Sequence, residues 1–270
     1  MTDRHLRRTD LLNFDATAIG NLITARGWTT LSPFERIGAA YDFVRDEIAF
    51  GFNRDDAIPA SEVLRDGYGQ CNTKATLLMA LLRGLDVPCR LHGFTIHKAL
   101  QRGVVPEIAY RIAPESILHS WVEVERGGAW VNLEGFILDA LFLSALQTAF
   151  AGRSSLCAYG AGTDCLTDPP VAWTGSDTYI QRTGINRDLG LYDDPDAFYA
   201  KHTQAFGLVR GFIYRHAIRH WMNARVAGIR RGRVPTIPGT SALMVADDRS
   251  DSLSPLGSEP ESVGRQRAQP

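Results

Sequence analysis

The feature that most constrains this chain of 270 residues is a glycine-flanked turn that leads straight into a helix, in the stretch DGYGQCNTKATLLMALLR at residues 66–83. Gly67 and Gly69 permit backbone angles that a side chain would forbid. Beyond the turn, apolar residues recur at the i, i+3, i+4, i+7 spacing of a buried helical face: Ala75, Leu78, Met79 and Leu82. The stretch therefore predicts a buried helix that begins at Cys71.

Cys71 is predicted to occupy the first turn of that helix. The unpaired backbone N–H groups and the positive end of the helix dipole found there favour the thiolate, which is the reactive form of cysteine. A free cysteine is nevertheless most often a small core residue. A catalytic interpretation of Cys71 therefore requires partner residues elsewhere in the chain.

Charge and apolar content exclude several classes of function. The formal net charge is −1, so no overall field favours binding to nucleic acid or to an acidic substrate. The sequence has no apolar run long enough to span a membrane, and its first residues lack the apolar core of a signal peptide. We therefore expect a cytoplasmic protein with no membrane partner.

The cysteines give no sign of a disulfide framework or of structural zinc. They are irregularly spaced and form no CxxC pair. The four are Cys71, Cys89, Cys157 and Cys165. We expect free thiols in a reducing compartment.

Apolar periodicity and turn residues predict an α+β domain over residues 1–232, with N-terminal helices and a C-terminal basic helix. Residues 233–270 are expected to be a disordered tail, because Pro, Ser, Gly and acidic residues bury too little apolar surface to offset the entropy of ordering. Ser32, Pro33 and Glu35 predict a capped helix start. The other expected elements are a helix ending near Gly27, strands over Cys89–Ile96, Leu118–Glu125 and Ala129–Leu133, a helix over Leu138–Ala151, and a long helix from Asp194 to about Ile229.

Two stretches give weaker patterns. Residues 97–117 form an irregular connection that is expected to cover or flank a cleft. Residues 152–190 are rich in Gly, Thr and Asp and give no prediction of secondary structure.

A cysteine nucleophile needs a base within hydrogen-bond reach, and the base needs a third group that fixes its tautomer. His119 lies on the strand with the cleanest alternation, and Gly127-Gly128 predicts a tight hairpin into the next strand. An antiparallel pair with that turn places residue 119 beside about residue 135, so the Glu134 carboxylate can accept a hydrogen bond from the imidazole. His92 and His97 are weaker candidates for the base.

The segments GYGQC, with its helix ending LLRGLDVP, then HSWVEVE and then WVNLE resemble the core of the transglutaminase-like superfamily. The likeness also includes the capped helix and ASEVL, so that it spans roughly residues 30–140. That family carries a Cys-His-Asp triad on a helix start and two adjacent strands. The resemblance implies that Cys71 is the nucleophile, His119 the general base and acid, and Glu134 the orienting carboxylate.

The resemblance also implies a papain/transglutaminase-like α+β fold, in which the nucleophile helix packs on an antiparallel sheet, plus a C-terminal helical segment. The implied reaction is acyl transfer or hydrolysis at the carbonyl of a peptide, amide or thioester substrate, through an acyl-enzyme. No metal and no organic cofactor are implied. Gln70 and Trp121 are expected at the substrate site, where Trp121 mainly packs around the imidazole.

The sequence departs from the family pattern at two places. The third triad member is usually aspartate in a WxxLD context, whereas here it is Glu134, with Asp139 as the fallback; glutamate serves this role in other triads. The upstream tryptophan that holds the oxyanion in many members is missing, because Trp28 lies too early. The backbone N–H of Cys71 can supply one oxyanion donor, and the second is unidentified.

Two alternatives stay open at this point. A cysteine peptidase or isopeptidase would share the site and differ only in its acceptor. A non-catalytic interaction module would keep the fold without the chemistry.

A basic segment between Asp196 and Asp247 contains no acidic residue. Its cations are Lys201, Arg210, Arg215, Arg219, Arg225, Arg230, Arg231 and Arg233. The predicted basic helix either docks against the acidic body as a solvated face or binds an anionic partner. We expect no nucleic acid partner, because nothing in the sequence resembles a recognition module.

Overall fold

In this computed structural model, residues 4–202, 211 and 213–237 are described. The chain divides into two units, Met1–Pro235 and Thr236–Pro270, and every element below belongs to the first unit. The predicted disordered tail falls almost entirely on residues 238–270, which lie outside the described residues. The predicted domain boundary at residue 232 therefore stays a prediction.

The described elements alternate between helices and short strands in an α+β arrangement. The helices are α1 (Thr17–Ala25), α2 (Pro33–Asp42), α3 (Ala60–Asp66), α4 (Cys71–Gly84), α5 (Glu107–Ile112), α6 (Ala140–Ala149), α7 (Pro195–Lys201) and α8 (Arg219–Arg230). The strands are β1 (Ala49–Phe50), β2 (Tyr68–Gly69), β3 (Cys89–His97), β4 (Ser116–Arg126), β5 (Ala129–Leu133), β6 (Leu156–Ala158), β7 (Ala161–Thr163) and β8 (Ile185–Tyr192). Within the described ranges, no helix is long and apolar enough to cross a bilayer.

Helix α4 begins at Cys71, as the glycine turn predicts. Gly67 adopts a left-handed conformation with φ of 69° and ends α3. At Gly69 a Cβ would lie 2.6 Å from Thr73 Oγ1 and 2.9 Å from Lys74 Cγ, so a side chain there would collide with the start of α4. The turn therefore requires glycine on two separate grounds, conformation and space.

The four-stranded sheet has the order β5-β4-β3-β8, and all of its pairs are antiparallel. Helix α4 is buried along its length against this sheet. Two polar contacts fix its N-terminal end to β4: Asn72 Nδ2 donates to Leu118 O at 3.2 Å, and Ser120 Oγ donates to Asn72 Oδ1 at 3.0 Å. The start of α4 is thus bound to the strand that carries His119.

The predicted hairpin between β4 and β5 is confirmed. Gly127 and Gly128 both have positive φ, 59° and 83°, which suits the two-residue turn that matches the twist of the strands. The register pairs Val122 with Leu133 and Arg126 with Ala129. Glu134 follows β5 immediately, at the end of the hairpin away from the turn.

A lysine is buried in the first turns of α4. Lys74 is fully inaccessible, and its ammonium donates to Arg45 O at 3.2 Å and to Ile137 O at 3.1 Å. These bonds connect α4 to the end of the α2 region and to the segment after β5. Burial lowers the pKa of Lys74 to about 7, because a low-dielectric environment disfavours the charged form.

Two parts of the fold differ from the sequence predictions. Strand β8, which completes the sheet beside β3, lies in the stretch for which the sequence predicted nothing. The predicted helix from Asp194 to Ile229 is wrong as a single element, because α7 ends at Lys201 and His202 is extended, with φ of −128° and ψ of 110°. The predicted start is confirmed, since the Asp194 side chain accepts from the Ala197 N–H at 2.8 Å.

The basic helix α8 docks against the body of the domain. Arg230 Nε donates to Asp139 Oδ1 at 2.9 Å, and its Nη2 donates to Phe50 O at 3.1 Å. Asn223 bonds both the N–H and the C=O of Phe52, at 2.7 and 3.0 Å. Docking on the body is the first of the two interpretations of this segment, and binding of an anionic partner stays a prediction.

Replacing Arg230 should cost far more stability than replacing its exposed neighbour. Burial by itself raises the pKa of Asp139, but the hydrogen bonds and charge of Arg230, with backbone N–H groups, bring it below its ordinary value. Arg230→Met leaves that buried carboxylate uncompensated and should lower the free energy of unfolding by about 3 kcal/mol at pH 7, measured by urea denaturation. Arg231→Met should change it by less than about 0.5 kcal/mol.

The loss of unfolding free energy in Arg230→Met should depend on pH. A carboxyl group whose folded-state pKa is lowered contributes stability above its ordinary pKa, and this contribution disappears as the pH falls through the folded-state value. The deficit of Arg230→Met should therefore shrink below about pH 4. Equal losses in the two arginine variants would contradict a role of this ion pair in docking α8.

Candidate active site

Cys71 lies at the wall of a cavity of about 600 Å³. Only 9% of the residue is exposed. Gln70 and Asn72, its neighbours in the chain, line the same cavity. The thiol thus combines a helix N-terminus with access to an enclosed space, the environment in which a reactive cysteine is found.

His119 and Glu134 form a fully buried pair, with no exposed surface on either residue. His119 Nε2 lies 2.9 Å from Glu134 Oε1. The second carboxylate oxygen, Oε2, accepts from the backbone N–H groups of Ile180 and Gln181 at 2.8 and 2.9 Å. Because both oxygens are acceptors, Nε2 must carry the proton that is donated to Glu134, which leaves Nδ1 free for a second partner.

The charge state of His119 depends on Cys71. Burial by itself would lower the pKa of His119, but the charge of Cys71, with a further contribution from the hydrogen bond and charge of Glu134, raises it to about 10. Nδ1 is buried and has no hydrogen-bond partner among the described residues. The arrangement therefore favours an imidazolium beside the Glu134 carboxylate.

Gln70 is held by both ends of its side-chain amide. Its Nε2 donates to Asp56 Oδ1 at 2.8 Å, and its Oε1 accepts from the Asn53 N–H at 2.9 Å. Burial raises the pKa of Asp56, although hydrogen bonds from Gln70 and Asn72 oppose this. The cavity wall beside Cys71 is therefore polar and fixed in position.

Trp121 packs within a group of aromatic rings. Its ring centroid lies 4.0 Å from that of Phe94, 5.3 Å from that of His92 and 6.5 Å from that of His119. Trp121 is 7% exposed and is not among the residues that line the cavity. This agrees with packing around the imidazole, whereas substrate contact is geometrically supported only for Gln70.

The weaker candidates have other partners. His92 lies 2.7 Å from Glu123 and 3.1 Å from Asp188, in a cluster on the sheet. Asp139 accepts from the N–H groups of Phe50 and Phe142 and pairs with Arg230, so Glu134 rather than Asp139 contacts His119. The described part of the chain holds no group of three or more His, Cys, Asp or Glu side chains that could bind a metal ion.

Several groups at the site are missing from the sequence prediction. The N–H groups of Ile180 and Gln181 belong to the backbone and leave no trace in residue type. Thr178 Oγ1, which accepts from the Glu134 N–H at 3.2 Å, lies in the stretch without a pattern. Tyr199 lines the cavity, but it lies inside the predicted helix that starts at Asp194 and belongs to no motif of the sequence.

Tyr199 is a phenol beside the thiol. Partial burial first, and then the charges of Asp56 and Cys71, raise its pKa well above the ordinary value. Its hydroxyl makes no hydrogen bond to any described residue. It is therefore a protonated donor at neutral pH that faces the same cavity as Cys71.

Comparison with known proteins agrees with this geometry. Residues 23–135 match the model of the transglutaminase-like superfamily. Over these residues the chain is similar to the transglutaminase-like core. Cys71, His119 and Glu134 all lie in the matched segment, and the helix packed on an antiparallel sheet confirms the predicted fold class.

Other comparisons add little. No curated protein matches the chain. Among solved structures, a protein from Cytophaga hutchinsonii described as a candidate cysteine protease is similar to it, with 13% sequence identity and a TM-score of 0.41. The alignment covers 72% of this chain and 47% of that one, so the chain matches less than half the length of that protein.

The charge state of His119 can be measured by NMR of its side-chain nitrogens. The imidazole should titrate with a pKa of about 10. In Cys71→Ala the pKa should fall, because the largest contributions that raise it are removed while burial remains. Cys165→Ala, at an exposed thiol, is the control and should leave the value unchanged. An ordinary titration near pH 6.5 in the unmodified protein would contradict the ion pair.

Glu134→Gln should slow the alkylation of Cys71 by iodoacetamide. An amide cannot accept at both ends, so one end would meet either the imidazole N–H or the two backbone N–H groups with a donor of its own. Loss of a hydrogen bond to a charged group predicts a rate about 10- to 100-fold lower. Glu125→Gln, an exposed residue on β4, is the control. Equal rates in the two variants would show that Glu134 does not position His119.

Proposed function

We propose that this protein is a cysteine enzyme that transfers or hydrolyses an acyl group at an amide or thioester carbonyl. Cys71 is the nucleophile, His119 the general acid and base, and Glu134 the positioning carboxylate. The observation that supports this most directly is the fully buried His119–Glu134 pair, at 2.9 Å, acting on a thiol that opens into a cavity.

The reaction follows from the charge states of the pair. The Cys71 thiolate attacks the carbonyl carbon, and the imidazolium gives its proton to the departing amine or thiolate as the bond to the leaving group breaks. The acyl group is then held as a thioester on Cys71, and His119 is neutral. In the second step His119 takes a proton from water or from an amine, which attacks the thioester and releases Cys71.

Charge on the carbonyl oxygen needs donors during each attack. The N–H groups in the first turn of α4 have no intrahelical partner, and that of Cys71 is the first donor we assign. The phenol of Tyr199 is the second donor we assign, because it lines the same cavity and has a raised pKa. This phenol would take the place of the tryptophan that the sequence lacks.

Acylation of Cys71 can be detected by intact-protein mass spectrometry. Incubation with butyryl N-acetylcysteamine thioester should add one butyryl group, which peptide mapping places on Cys71 and which is absent in Cys71→Ala. Tyr199→Phe should slow acylation by about 100-fold, the usual cost of one oxyanion donor. Tyr110→Phe, at a tyrosine outside the cavity, is the matched control.

The same assay separates the alternatives. Added putrescine should speed loss of the adduct and yield N-butyrylputrescine if an amine acceptor is used, and water alone should release butyrate if it is not. A peptidase would be acylated by peptide amides in preference to the thioester. Equal labelling of Cys71, Cys89, Cys157 and Cys165 would instead favour the non-catalytic module.

A further inference from the structure

The wall of the cavity at Cys71 exposes mainly apolar surface, with the charged residues Arg54, Asp55 and Arg215 also in its lining. Its polar groups include the fixed group beside the thiol formed by Asp56, Gln70 and Asn72. Most of the remaining wall is apolar and includes Leu100, Val104, Val105, Ile117, Leu118 and Met222. A volume of about 600 Å³ lies in the range, roughly 300–1,000 Å³, that encloses a small organic ligand.

Two parts of the chain contribute much of the apolar wall. One is the connection after β3, where Leu100 and Val104 are fully buried. The other is the C-terminal helical segment, which contributes Ile218 and Met222. Arg225 donates to Val105 O at 3.3 Å and so ties the two walls together. The two segments that line the cavity are therefore fixed to each other by a hydrogen bond.

Aliphatic side chains are also exposed where the cavity meets the surface. Ile112 on α5 and Ile213 at the start of the C-terminal segment both line the cavity, yet they are 63% and 46% exposed. Ile108, one turn before Ile112, is 77% exposed. A cluster of exposed aliphatic residues at the rim of an apolar cavity marks the entry of an apolar ligand.

On the basis of the proposed function, we infer that the acyl donor carries an aliphatic chain, which fills this cavity while its carbonyl reaches Cys71. Burial of methylene groups against these walls is favourable, whereas a polar acyl chain would lose hydrogen bonds to water without replacement. The leaving group would lie towards Asp56 and Gln70, where the wall is polar. The substrate class is therefore the thioesters or amides of aliphatic carboxylic acids.

A chain-length series tests the assignment. The second-order rate of Cys71 acylation is measured with the N-acetylcysteamine thioesters of acetate, butyrate, hexanoate and octanoate. Each added methylene should raise the rate about three- to fourfold, which is the equivalent of about 0.8 kcal/mol. A rate that does not depend on chain length would overturn the inference while leaving the proposed function intact.

Filling the cavity should abolish the increase of the acylation rate with chain length. Ala109 lines the cavity from α5, so Ala109→Trp should lower the ratio of the octanoyl to the acetyl rate at least tenfold. Arg111→Trp adds the same bulk on the same short helix at an exposed position outside the cavity, and its ratio should equal that of the unmodified protein. The same ratio in both variants would overturn the inference.

Ligand binding measured in a variant that cannot be acylated separates the aliphatic assignment from the proposed function. Octanamide should bind Cys71→Ala in calorimetry, with affinity lost in the double variant that also carries Ala109→Trp. Binding of octanamide without acylation of Cys71 by any thioester would overturn the proposed function but support an apolar ligand site. Acylation of Cys71 without octanamide binding would overturn the aliphatic assignment. Faster acylation by a blocked leucyl peptide p-nitroanilide than by the octanoyl thioester would assign the cavity to a peptide side chain instead.

Discussion

The site depends on the hydrogen bonds that the Glu134 carboxylate accepts. It is fully buried, and its two oxygens accept from the imidazole of His119 and from the N–H groups of Ile180 and Gln181. A buried charge is tolerated only when it is paired and hydrogen-bonded. One side chain therefore holds together the end of the β4–β5 hairpin, a loop far along the chain and the imidazole of His119.

Patterns between residues close in sequence predicted the start of α4 and the β4–β5 hairpin. The start of α4 at Cys71 follows from glycine conformation and apolar spacing, and the hairpin at Gly127-Gly128 follows from turn chemistry. The pairing of His119 with Glu134 follows in turn, because the hairpin register fixes which residues lie near each other. These features depend on residues that are close in sequence, where steric rules act directly.

The missed parts depend on distant contacts. Strand β8 has no buried residue and carries Asn186, Arg187 and Asp188 in succession, so it shows no apolar alternation and is defined only by its pairing with β3. The donors to Glu134 in the 180–181 loop are backbone groups, which every residue type supplies. The break after Lys201 is likewise invisible to helical periodicity, since helical spacing resumes beyond it.

The buried ammonium of Lys74 on α4 titrates near neutral pH. With a folded-state pKa of about 7 against an ordinary value of about 10.4, the unfolded chain holds more protons than the folded one between those values. Linkage then requires the fold to lose stability as the pH falls from about 10 towards 7. A pH profile measured near neutrality therefore includes the protonation of this buried lysine, which lies three residues after Cys71 on the same helix.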